Sequence, residues 1–515
     1  MERKGILFFW LFVFFMSYFV LISSGRFGGD GLENYLTAES IVLDGDFSIH
    51  DREFGVKEMK YAERGRTGAD GKIYSQYGLG AAILLVPFYF IGDLVSSFVP
   101  GIPHDYVTQF AVSLFNPVIL AFVAVAMFKL LIKLGYTAKT SFVAVLIYSL
   151  CTMNVVYARS GFSEPVVALL VLLAALKMLD YSRERRVPHI LIASICVGYA
   201  LFIKKNSFIL LPGFALYFLY LLFSGNGTDF RKKLSDIIWF AAPLLFFIGA
   251  IFLQNKVLYG GALNTEYGTM NDLVAKVRTD GYPGKGLFYY LLSPGKGYLI
   301  YNIAIVLGLF SLKDFLKRHK DYAVFLWVLL LSNLLVYSFI FVRGSLFSWG
   351  PRYLFPTLPL FAVFLAEFIS KKDILRRKLT VTFFALGGFL VQLPNFVVSF
   401  PNYLFFVKEK MKLPEYLINF MPELSPIKGT WYLFISLVRR SLGGAPLDFS
   451  YNPDLWFFQT VSAPLKGYDA ADIWFMNVVR VEPSLAVPVQ AAIISLIAIM
   501  IISLFGIAVH MRRSR

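Results

Sequence analysis

Residues Ile6 to Ile22 read ILFFWLFVFFMSYFVLI, an apolar run of helical length without a formal charge. Wound as a helix it reaches across most of a hydrocarbon layer, and Arg3 and Lys4 precede it, so it reads as a first membrane span with its basic end in the cytoplasm. A cleavable signal is the alternative, since Ser23, Ser24 and Gly25 are small enough for a cleavage site. The run is long for a signal and heads a chain with many more such runs, so retention is expected.

Working outward, similar runs fall at about 109–134, 140–157, 163–180, 188–203, 207–224, 235–255, 298–312, 322–342, 353–370, 379–399 and 488–509, twelve in all with the first. At about 20 residues each they use roughly 240 residues and leave more than half of a 515-residue chain outside the hydrocarbon. The composition agrees with a membrane protein: 57% hydrophobic, 16% charged and a mean hydropathy of +0.64. The two cysteines, Cys151 and Cys196, lie inside apolar runs, and the five histidines show no metal-binding spacing, which excludes a disulfide scaffold and a Cys- or His-based metal site.

The net charge of +16 would point to nucleic acid in a soluble chain. Here much of the Lys and Arg falls in clusters at 129–139, 183–186, 231–233, 313–320, 371–378 and 512–515, one in every second connection, which is the signature of topology. Both termini are thereby placed inside. Leu79 to Val99 is long enough to span, yet counting it would move every later cluster outside. Interrupted by Gly80, Pro87 and Gly92, with Asp93 near its end, it is expected to lie in the outer surface. Three large connections, 24–108, about 256–297 and 400–487, then fall on the outer side.

The polar residues gather at the outer span ends, and the span centres are nearly free of charge, which favours chemistry at the lipid–water boundary over a translocation path. Gly28-Gly29-Asp30-Gly31-Leu32-Glu33-Asn34-Tyr35 follows the first span. Asp30 and Glu33 form a carboxylate pair suited to general-base work or to a metal; the same spacing is also a capping box, and spacing alone leaves both open. Asp44 and Asp46 are further hard oxygen ligands, so a divalent metal stays open as a cofactor, with no metal site assigned.

At the third span's mouth, Tyr157-Ala158-Arg159-Ser160-Gly161-Phe162-Ser163-Glu164-Pro165 puts Arg159 and Glu164 on the same side as Asp30, although Ser163 with Glu164 and Pro165 is also a plain helix start. Lys204 and Lys205 sit in a short outer connection against the positive-inside trend, where they either meet an anionic headgroup or snorkel to lipid phosphate. Arg343 shares that side, and Arg352, in Trp349-Gly350-Pro351-Arg352-Tyr353, is placed to grip a phosphate bidentately. In 400–487, Ser425-Pro426-Ile427-Lys428-Gly429, Trp431, Asp454, Trp456, Asp472 and Trp474 serve equally well as a sugar-binding surface or a packed cap.

Taken in order, these pieces resemble the GT-C superfamily of membrane glycosyltransferases, in its protein O-mannosyltransferase and lipid A aminoarabinose transferase branch. The parallel comprises the acidic motif after the first span, Asp70-Gly71-Lys72-Ile73-Tyr74-Ser75-Gln76-Tyr77-Gly78 and its continuation to Pro87, Phe162 to Pro165, Ser293-Pro294-Gly295-Lys296-Gly297, and Gly350 to Tyr353. The resemblance implies an all-α polytopic membrane fold of about 12 transmembrane helices with outer juxtamembrane helices and a small outer C-terminal region. Residues 1–399 would form the catalytic module with its outer loop 24–108, 400–487 an outer cap, and 488–515 the last span and basic tail.

It further implies that Asp30 is the catalytic carboxylate. Many members carry Asp-Glu here; this chain has Asp30-Gly31, leaving Glu33 as the candidate second carboxylate. The donor would be a polyprenyl-phosphate sugar, with Arg352, Lys204, Lys205 and Arg159 for its phosphate and Glu164, Tyr353, Tyr74 and Lys72 as substrate contacts. The expected partners are that donor, a lipid, glycan or protein acceptor and membrane lipids, with no nucleic acid. A prokaryotic plasma membrane with the site facing outward is the expected location. The competing class is a polytopic lipid or oligosaccharide flippase.

Overall fold

The protein is seen in a computed structural model that describes residues 2–28, 30–49, 65–99, 101–224, 229–265, 268, 283–339, 347–371, 374–451 and 461–513. Arg343, Asp454 and Trp456 lie outside these described residues.

Helices account for almost all regular structure, as expected for a chain that must satisfy its backbone polar groups internally within lipid. Among the described residues nine helices are long and apolar enough to cross a membrane, and three shorter apolar ones, Gly5–Leu21, Ala138–Leu150 and Val187–Ile203, accompany them. The chain is thus an integral, multi-pass membrane protein. Each of the twelve apolar runs is helical over most of its length.

Among the runs that are interrupted, two have their breaks joined by one residue. The run from 298 divides into Tyr298–Tyr301, a 3-10 stretch Ile303–Ser311 and Leu312–Arg318, parted first at Asn302. The Asn302 side chain accepts from the Met153 amide at 3.0 Å and donates to the Tyr298 carbonyl at 2.9 Å. Met153 lies where the run 140–157 breaks, between Ala138–Leu150 and Asn154–Tyr157. A side chain has taken over the backbone bonds that each helix gives up.

The interior is built around Glu164–Glu184 and the segment Arg352–Ser370, 72% and 78% of whose apolar windows are buried, against 17% for Phe230–Tyr259 and Pro483–Arg512. The first pair is core and the second is left with most of its surface for lipid. Between lipid-embedded helices association relies on close packing rather than on water expulsion, and small residues permit it. Ala168, Ala174 and Ala175 of Glu164–Glu184 are accordingly fully buried. The first helix, Glu2–Leu21, packs between Phe115–Lys133 and the last helix, Ala486–Arg513.

Leu79–Ser96 forms a single helix that runs through Pro87 and packs against Gly31–Leu43 and His104–Ser113. By length and composition it too qualifies as a span. Among the described residues two short antiparallel strand pairs, Arg66–Thr67 with Ile73–Tyr74 and Asp448–Tyr451 with Val461–Pro464, complete the regular structure.

Candidate functional site

Gly31–Leu43 starts immediately after Asp30, which occupies its N-cap position. A capping box would turn the Asp30 side chain onto the helix's own amides, but it makes no such bond. It faces Arg352 instead, 322 residues away in sequence, and the two form an ion pair. Glu33 points elsewhere: it accepts from the Gln76 amide at 2.6 Å and the Ser75 hydroxyl at 3.2 Å, with 5% of its surface exposed. The two carboxylates therefore do different work. Glu33 fixes the 75–77 segment, which carries Tyr77, and the Tyr77 hydroxyl lies near enough to Asp30 to favour its ionised form.

The absence of a side chain at position 31 has a geometric cause. A Cβ on Gly31 would run into the carbonyl oxygen and Cα of Gly161. The beginning of one helix is packed backbone to backbone against the turn leading into Glu164–Glu184. An adjacent Asp-Glu doublet has no room here.

That turn delivers Glu164. Ser163 stands at the N-cap without a side-chain cap bond, and Pro165 occupies the first turn. Glu164 is 1% exposed, pairs with Lys204, and lies 3.9 Å from the Arg352 Nε. Lys204 reaches it because the helix Val187–Ile203 ends there in extended backbone, at φ −146° and ψ 102°. Lys205 belongs to the next helical turn and donates to the Asn255 side chain at 2.9 Å.

Arg352 arrives on a turn made by Gly350, whose φ of +63° favours glycine, and by Pro351. Its guanidinium lies 5.2 Å from the Phe162 ring and 5.1 Å from the Tyr353 ring. The Lys204 ammonium lies 5.6 Å from the Tyr353 ring. Charge thus alternates along Lys204, Glu164, Arg352 and Asp30, with Tyr353 backing both cations. The Asp30 side chain, 31% exposed, is the most open of the four; those of Arg352 and Lys204 are 11% and 20% exposed.

Behind the chain of charges lies a cleft lined by Glu164, Lys204, Asn206, Ser207, Tyr337 and Tyr353. Among the described residues Glu164 Oε2 has no hydrogen-bond partner although it is buried. A buried carboxylate oxygen left open is costly, and an incoming hydroxyl or ammonium group would satisfy it.

Burial works against the ionised form of Asp30, but the Arg352 guanidinium, helped by Tyr77 and Lys204, outweighs it and holds the carboxyl below the ordinary carboxylate range. Asp30 is therefore ionised at neutral pH. The same neighbourhood has the opposite effect on Tyr77, whose burial and proximity to the Asp30 charge push the phenol up and keep it protonated.

The structure gathers Asp30, Glu164, Lys204, Arg352 and Tyr353 from the residues singled out in the sequence, and sets the others apart. Arg159 is drawn to the C-terminal region, donating to the Val398 carbonyl at 3.3 Å and to the Asp472 carbonyl and carboxylate. Trp474 and Asn477 beside it bind the Ser23 and Ser24 carbonyls at 2.9 and 3.0 Å, so Arg159 helps tie this region to the end of the first helix. Lys72 pairs with Asp46 at 2.9 Å and the Tyr74 hydroxyl donates to Asp70 at 2.7 Å, which makes the first hairpin a separate polar cluster. Tyr77 went unremarked in the sequence as a site residue; its signal was its place at the end of the Asp70–Tyr77 stretch.

The oxygen ligands considered for a metal do not converge. Glu33 is held by Ser75 and Gln76, Asp46 by Lys72 and Ser48, and Asp44 is exposed at a helix end. Among the described residues no group of three or more His, Cys, Asp or Glu side chains is placed to hold an ion.

With the geometry in view, residues 53–253 match the family described as dolichyl-phosphate-mannose-protein mannosyltransferase. No curated protein matches the chain. Among solved structures, the crystal structure of ArnT from Cupriavidus metallidurans in the apo state is similar at 12% identity over 99% of this chain and 77% of that one, with a TM-score of 0.50. The same protein bound to undecaprenyl phosphate gives 13% identity, 98% and 77% coverage and a TM-score of 0.47. At this identity the likeness to the apo structure is one of fold. Residues 53–253 thus resemble a glycosyltransferase domain, and the fold over nearly the whole chain is like that of the apo ArnT structure. The resemblance to the protein O-mannosyltransferase and lipid A aminoarabinose transferase branch drawn from the sequence agrees with both findings.

Proposed function

We propose that the protein transfers a monosaccharide from a polyprenyl-phosphate donor to an acceptor hydroxyl, with inversion, at the outer face of a prokaryotic plasma membrane. The observation that carries this reading is the Asp30–Arg352 pair: an ionised carboxylate on the open side of the cluster, held by a guanidinium that also suits a phosphate.

The donor phosphate brings a second anion to Arg352 and Lys204. Competing for the guanidinium, it loosens the hold on Asp30, and the freed carboxylate accepts the acceptor hydroxyl's proton as that oxygen attacks the anomeric carbon. The bond from that carbon to the phosphate oxygen breaks as the new glycosidic bond forms, and polyprenyl phosphate departs with its electron pair from the opposite side, which inverts the centre. Arg352 and Lys204 meet the charge that grows on the leaving phosphate. Tyr77 and Glu164 complete the frame, the first orienting Asp30 and the second holding both cations in register.

Release of free polyprenyl phosphate from a panel of undecaprenyl-phosphate-linked monosaccharides, in membranes holding equal amounts of the native chain or Asp30→Asn, tests this. Release that disappears in the variant supports the transferase reading. The absence of release with every donor tried shifts the assignment to a flippase, and equal release from both chains removes Asp30 as the base.

A further inference from the structure

The stretch Ser293-Pro294-Gly295-Lys296-Gly297 has no part in the chemistry above, yet it buries a lysine completely: Lys296 is 0% exposed. Its ammonium donates to the Ser348 carbonyl and, at 3.2 Å, to the Ser348 hydroxyl. That hydroxyl in turn donates to the Gly350 carbonyl at 3.3 Å. The far side of the same turn is held by the Tyr157 hydroxyl, 3.2 Å from the Trp349 carbonyl, and by the Trp349 indole, which donates to Gln392 at 2.7 Å. Two residues beyond Gly350 comes Arg352.

Burying an ammonium is expensive, and the return here is position. Two donor contacts to one residue leave the 348–350 turn little freedom, and a guanidinium can meet an anion along two parallel bonds only if its backbone origin is fixed. We propose that Lys296 is a positioning residue: it clamps the Ser348–Gly350 turn so that Arg352 is aimed at the donor's phosphate. This rests on the reading that Arg352 binds that phosphate.

The test is binding of undecaprenyl phosphate to the purified full-length protein in detergent, well below its melting temperature, for the native chain, Arg352→Gln, Lys296→Met and Ser348→Ala. Arg352→Gln is expected to weaken binding on the order of 100-fold, as when one partner of a buried charge pair is removed. Lys296→Met is expected to cost about tenfold and Ser348→Ala about threefold, the scale of hydrogen bonds to charged groups. A lysine with only a structural role would lower the melting temperature and leave the dissociation constant of the folded protein unchanged. Loss in Arg352→Gln with native binding in Lys296→Met overturns the inference. Native binding in Arg352→Gln overturns the donor reading, and this proposal with it. Should Lys296→Met fail to accumulate as folded protein, Ser348→Ala decides, and native binding there overturns the clamp.

Discussion

Ion clusters of similar composition occupy two regions of the bundle, and they are built in opposite ways. Where Glu164–Glu184 ends, Asp180 is 3% exposed and receives both Lys133 and, at 3.4 Å, Lys177 from its own helix. One acid meets two bases, both oxygens are occupied, and the arrangement is a staple between neighbouring helices. Where the same helix begins, Glu164 and Asp30 share Lys204 and Arg352, four residues from four separate segments. Glu164 keeps an unpartnered oxygen and Asp30 keeps an open side. A saturated cluster holds helices together; an unsaturated one retains the capacity to take a further polar group.

The sharpest way to break this comparison is at Asp30. Asp30→Asn keeps the shape and removes the charge, and transfer is expected to fall about 1,000-fold in single-turnover assays, within the span attributed to a positioned base. Arg352→Gln comes next, with a loss in kcat of about 100-fold, the scale seen when a group stabilising developing charge is removed.

A pH profile sharpens the point. Because the folded-state pKa of Asp30 is depressed, the pair's stabilisation is fully present above the unfolded value near ~3.9 and is lost as pH falls through the lower folded value. The acid limb of kcat/KM is therefore expected to begin below about pH 4 in the native chain. In Arg352→Gln it should begin at a higher pH. A native limb centred near pH 6 would show that another group controls it.

The smallest effect is expected at the staple. Lys133→Met leaves Asp180 with Lys177 and should leave transfer unchanged within twofold while costing stability of about 1 kcal/mol, discounted for the partly exposed lysine. A loss of transfer as large as that of Arg352→Gln would erase the distinction between the two clusters.

Much of the fold was legible in the sequence because hydropathy has a length scale the bilayer sets. The apolar runs became helices, and the breaks at 151–153 and 302 escaped because they depend on one asparagine bridging two segments far apart in the chain. Leu79–Ser96 shows the same limit, since its length and hydropathy permit a span while charge parity and its Gly and Pro interruptions argue for the surface. For the site, charged residues at span ends stood out against an apolar background, but their grouping did not. Arg159 and Arg352 look equivalent in the sequence, yet Asp472 takes up one and Asp30 the other. Lys204 and Lys205 are adjacent and diverge because Lys204 is the extended residue between one helix and the next turn, which Lys205 begins, a change of backbone angle that no charge pattern announces.

The contact between Gly31 and Gly161 has a consequence for how this chain can change. Two adjacent acids after the first span cannot be reached here through Gly31→Glu alone, because the new side chain would force apart the turn that aims Glu164. The turn at 161 would have to move first, and in moving would disturb the cluster before any second acid could help it. The two glycines therefore hold this motif to a single acid and leave the second carboxylate of the cluster to another helix.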